Sequence, residues 1–121
     1  MKKIQILSYD SLVELIVTFG VPGLILTGAI GATGLVGAAA ITAALASIGP
    51  GGMLLGIATL GVAGLIAQGI SKYSFEAIFK GVVKGLYKNG ETKESILQKI
   101  DSYKLSKGLK LKLKEEINKL E

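Results

Sequence analysis

The chain has no cysteine, no histidine, no tryptophan and no arginine; its 14 basic residues are all lysine. Without cysteine there is no disulfide frame, no thiolate metal site and no thiol nucleophile. Without histidine the commonest general base and metal ligand is gone. A basic set made only of lysine, with 6% aromatics, lacks the arginine forks and interleaved rings that read nucleic acid, so nucleic acid is excluded as a partner. The lysine bias suggests an AT-rich bacterial genome. The largest absence is charge: residues 15–71 contain no Asp, Glu, Lys, Arg or His.

What is present is apolar and small. Of 121 residues, 50% are hydrophobic and 17 are glycine, and the mean hydropathy of +0.54 lies above the usual range of water-soluble domains. One folding unit is expected at this length. The charges are pushed to the two ends, with a lysine excess after residue 71. A cleaved signal peptide fits poorly, because the apolar block starts late and outruns a core of roughly 7–15 residues.

The predicted fold class is all-α: a transmembrane two-helix hairpin, then an amphipathic interfacial helix and a short helical C-terminal tail. Four segments carry it. Residues 1–20 hold a short helix, capped by Ser8 or Asp10, with Leu12, Leu15, Ile16 and Phe19 on one face; residues 3–7 read equally as extended. Residues 21–71 form the hairpin, with its turn at 48–52, where Ile48-Gly49-Pro50-Gly51-Gly52 is a strong break. Each arm has about the 20 residues needed to cross about 30 Å of hydrocarbon. Residues 72–90 repeat Phe75, Ile78, Phe79, Val82, Val83, Leu86 and Tyr87 at helical spacing opposite Lys80, Lys84 and Lys88, and Asn89-Gly90 stops the helix. A basic amphipathic helix directly after a span reads as lying in the headgroups; a helix packed on its neighbours is the alternative. Residues 91–121 carry two more helices, capped by Thr92 and Ser106.

Glycine inside a helix costs about 1 kcal/mol relative to alanine, and close approach of backbones is the usual gain. At 100° per residue, Gly28, Gly31, Ala32, Ala38, Ala39, Thr42 and Ala46 share one face of the first arm. Gly52, Gly56, Thr59, Ala63 and Ala67 share one face of the second. These are the candidate helix-packing residues. Gly34, Gly37, Gly61 and Gly64 fall off both stripes and, with Gln68, are candidates for an oligomer contact or a pore lining. Lys72, Phe75, Phe79, Lys80, Lys84 and Lys88 are candidates for the lipid interface.

No catalytic, cofactor-binding or metal-ligating constellation is recognisable. Asp10 and Glu14 sit four apart, but a cap and a first-turn acid explain them better than a catalytic pair. The chain is not expected to be an enzyme. An uncharged turn and lysine-rich ends place both termini on the cytoplasmic side of a bacterial inner membrane. The expected partners are anionic lipid headgroups, further copies of the chain and a possible protein partner for residues 91–121.

The Ala/Gly block over residues 21–71 resembles the hydrophobic hairpin of pore-forming colicins, without the amphipathic helices that shield that hairpin. It also looks like small bacterial glycine-zipper membrane hairpins of the toxin or immune-effector type, most distinctively in the string from Ile48 to Gly61. That resemblance implies a self-associating, membrane-permeabilising effector. Two alternatives stand beside it: a non-conducting membrane anchor or adaptor that recruits a partner through its C-terminal helices, and a soluble helical oligomer that buries the apolar block.

Overall fold

A computed structural model describes residues 7–48 and 59–120. Their helices are α1 (Tyr9–Thr18), α2 (Val21–Ala32), α3 (Gly37–Ile48), α4 (Thr59–Tyr73), α5 (Phe75–Lys88), α6 (Lys93–Ser102) and α7 (Lys107–Lys119).

The organising element is α2. It is apolar on every side, so no single face can be turned to water, and such a helix must be surrounded. All residues from Gly23 to Ile30 are buried, and α2 packs against each of the other six helices. Leu24, Ile25 and Leu26 are fully covered, each burial contributing about 1.5–3 kcal/mol relative to exposure. The one polar side chain inside, Thr27, donates its hydroxyl to the Gly23 carbonyl at 2.9 Å, so nothing polar is left unsatisfied there.

Four amphipathic helices supply much of the cover. Ser8 caps α1 by accepting from the Ser11 N–H at 3.1 Å, and Leu12 and Ile16 face inward. Helix α5 is capped by Ser74 and buries Ile78, Phe79, Val82, Val83 and Leu86. Thr92 and Ser95 form a reciprocal capping box at α6. Ser106 caps α7, whose Leu109, Leu113 and Ile117 are buried. The alternating Leu-Lys run from Leu109 is therefore helical. The end of α5 closes as the Asn89-Gly90 pair suggests, with Gly90 at φ +99° and the Glu91 N–H bonded back to the Leu86 carbonyl at 3.0 Å.

The expected transmembrane hairpin is overturned. No single helix among the described residues is long and apolar enough to cross a membrane. The first expected arm is two helices, α2 and α3, bent by 120°. The bend has a local cause. The Thr33 hydroxyl donates to the Ile30 carbonyl at 2.9 Å and accepts from the Leu35 N–H at 3.0 Å, while Gly34 and Gly37 take φ of +69° and +61°. Taken together α2 and α3 have the length and composition of a broken span, but α2 is the buried centre of a bundle. Of the second arm, the described part is α4, with 15 residues and a length of about 22 Å. Of the expected turn at 48–52, Ile48 ends α3, buried, and the rest lies outside the described residues.

The other membrane expectations fall with it. The apolar face of α5 meets α1, α2 and α4, so it is not an interfacial face. Phe79 is buried and Phe75 packs on the core, whereas Lys72, Lys80, Lys84 and Lys88 are exposed, as on any water-facing side. With no spanning helix identified, an inner-membrane location with cytoplasmic termini loses its support. Helices α6 and α7 turn Ile96, Ile100, Leu109, Leu113 and Ile117 into the bundle, Leu113 seated against Gly28, and leave Leu111 68% exposed, so the two helices are part of the bundle and not a free tail. Since one chain wraps α2 by itself, no second copy is required to bury it, and the expected homo-oligomer loses its reason.

Candidate functional site

The surface divides in two. Helices α1, α5, α6 and α7 carry every charge in the described residues except Lys72, Glu91 and Lys104. The α2–α3 turn, the outer side of α3 and the first turns of α4 carry none. Helix α3 fully buries Ala40, Ala44 and Ile48, and packs Ile41 partly against the core. Its remaining wall is small and uncharged: Ala38, Ala39, Thr42 and Ala46 are exposed. At its start Leu35 is 51% exposed and Val36 75%. Apolar side chains of that size, contiguous with an uncharged helix wall, make up the sort of surface that marks an interaction site.

The candidate packing residues are thus split. Gly28 and Gly31 lie at tight crossings, but against Leu113 of α7 and Phe75 of α5, where an added Cβ would come within 2.2 Å and 2.1 Å of a side-chain carbon. Ala63 and Ala67 of α4 are buried. Ala32, Ala38, Ala39, Thr42 and Ala46 face outward. Thr59 begins α4, and Gly52 and Gly56 lie outside the described residues. The second set behaves uniformly: a Cβ at Gly34, Gly37, Gly61 or Gly64 would meet no atom within 4 Å, and Gln68 is exposed beside them.

Several structural glycines escaped the sequence reading. Gly23 sits against the backbone carbonyl of Ile16, Gly69 against Leu12, Gly81 against Tyr9 and Gly85 against Val17. The four-residue spacing of Gly81 and Gly85 was the available signal, hidden because α5 was assigned to lipid. Tyr9 and Tyr73 were also missed. Their rings meet edge-on at 5.7 Å, and their hydroxyls donate to the carbonyls of Ala77 at 2.8 Å and Leu7 at 2.9 Å, tying α1 to the α4–α5 corner.

Two grooves mark the surface. One, about 700 Å³, runs between α1 and α5, with Asp10 and Glu14 on one wall and Lys84 and Lys88 on the other. All four side chains are exposed. The second, about 540 Å³, lies between the start of α3 and the end of α4. Gly37, Ala38, Ile41, Gly64 and Ala67 line it, with Gln68, Ser71 and Lys72 toward the end of α4.

Among the described residues, no group of three or more His, Cys, Asp or Glu is placed to hold a metal ion. The Lys99 ammonium and then the Ser95 hydroxyl bond the Glu91 carboxylate and hold its pKa below the ordinary value, against a smaller opposing effect of burial. No family model matches this chain, and no curated protein or solved structure matches it.

Proposed function

We propose that this chain is a non-catalytic helical binding module that docks its uncharged α2–α3–α4 face on the apolar face of another protein. The observation that carries the reading is the exposure of Leu35 and Val36 beside a helix wall without charge. The charged helices hold the bundle in water and wrap α2, and the uncharged face is left to act. Small side chains suit it to close approach by a partner element. No covalent or redox step is needed.

The test is site-specific photocrosslinking in the native host. A benzophenone amino acid placed at Val36 or Ala39 is expected to trap one and the same protein, and placed at Lys84 or Lys110 to trap none. Leu35→Glu should abolish the product without altering the folded spectrum. Equal crosslinking from both faces, or a product containing only this chain, would contradict the reading.

A further inference from the structure

Helix docking leaves unexplained why the α3–α4 groove has one polar end. Its floor is apolar, and its walls run for roughly 12 Å along α4 between Gly64 and Lys72 at 1.5 Å per residue. Gln68, Ser71 and Lys72 are spaced three and four apart, so they cluster on one side of the last turns of α4. Among the described residues, Lys72 is the single charged side chain that lines the groove. It makes no ion pair among the described residues and rests over the ring of its neighbour Tyr73 at 5.2 Å. No acid in α3 or α4 offsets it. A volume of about 540 Å³, apolar except for a few orienting polar groups, is that of a small-molecule site between helices of a bundle.

From this arrangement we infer that the groove binds a free single-chain amphiphile with an anionic head, a medium-chain fatty carboxylate. The alkyl chain lies along Ala38, Ile41, Gly64 and Ala67. The carboxylate meets the Lys72 ammonium, with the Gln68 amide and the Ser71 hydroxyl as further donors. Absence of side chains at Gly37 and Gly64 makes the room: a Cβ at either would meet nothing within 4 Å, so the space is open and not filled by a neighbour. The groove lies within the α2–α3–α4 face but uses other residues than Leu35 and Val36, so loss of decanoate binding and loss of the Val36 crosslink are separate outcomes.

The experiment is calorimetric titration of the full chain with decanoate, decanol and decyltrimethylammonium, each below its aggregation concentration. Decanoate should bind saturably at one per chain, and decyltrimethylammonium at least about tenfold more weakly. Lys72→Gln should lower decanoate affinity about fivefold and leave decanol unchanged. Gly64→Leu, which fills open space and should fold as the parent does, should remove binding of both by at least about tenfold. Three results would each overturn the inference: equal binding of the anion and the cation, a Lys72→Gln loss shared by decanol, or unchanged binding to Gly64→Leu. So would failure of decanoate to bind a chain that dimerises and that Gly64→Leu returns to monomer, since the groove would then be a contact between copies.

Discussion

Helices α2 and α3 are a matched pair treated oppositely. Each has 12 residues, neither has a charge, and both are built from alanine, glycine, threonine and aliphatics. Yet α2 is buried along almost its whole length, whereas α3 buries one narrow stripe. Composition separates them in part, with five large aliphatics and two alanines in α2 against three and six in α3. Position does the rest: the amphipathic helices α1, α5, α6 and α7 all touch α2, whereas α3 is covered chiefly by α2 and α4, with a small contact to α7. The lesson is that an uncharged helix is assigned its solvent by what the rest of the chain can wrap around it.

Truncating one large side chain on each helix sharpens the contrast most. Ile25→Ala in α2 should cost about 2–5 kcal/mol in denaturant unfolding, as a fully buried aliphatic does, and Ile41→Ala on half-exposed α3 well under half of that. Glycine gives the next contrast. Gly23→Ala drives a methyl to 2.3 Å from the Ile16 carbonyl oxygen, a backbone atom that cannot swing away, and should destabilise by about 2–3 kcal/mol. Gly64→Ala, on the open side, should stabilise by roughly 0.5–1 kcal/mol through helix propensity alone.

A smaller effect concerns the corner that joins the covered and open parts. Ser74 holds φ +81° and ψ 151°, a region natural to glycine. Ser74→Gly should raise stability by about 1 kcal/mol, since released strain of roughly 1–3 kcal/mol exceeds the few tenths lost from the cap. The smallest is electrostatic and lies wholly on the charged side. Glu91 has a depressed folded-state pKa, so its contribution is complete above the ordinary carboxylate value near 4.5 and is lost as pH falls through the folded value. Because the pair with Lys99 is partly exposed, the acid loss should stay below about 1 kcal/mol and vanish in Glu91→Gln. Unfolding curves at pH 7 and pH 3 measure it.

The local structure was the legible part of the sequence. Ser8, Thr92 and Ser106 announced three helix starts, and Asn89-Gly90 one end, because a cap depends only on residues within a turn of it. The apolar stripes of α5 and α7 followed from spacing, but that of α5 was expected to face lipid and faces the bundle instead. The fate of the apolar block was not legible, because a helix that is greasy all round satisfies a protein core and a bilayer equally. The break at Thr33–Gly37 was hidden for a related reason: glycines that allow close packing and glycines that turn the chain look identical until φ is known. The face now proposed as the site rests on Leu35 and Val36, which only that break exposes.

The central claim is that protein, not hydrocarbon, surrounds α2. With no native cysteine, single thiols can be placed by Ala29→Cys on α2 and Ala39→Cys on α3, and their reaction with a charged maleimide timed on purified chain without detergent. The account predicts that the thiol at position 39 reacts like a free peptide thiol and that the one at position 29 reacts at least about a hundredfold more slowly, until denaturant opens the bundle. Equal protection of both positions, relieved only by detergent, would contradict it.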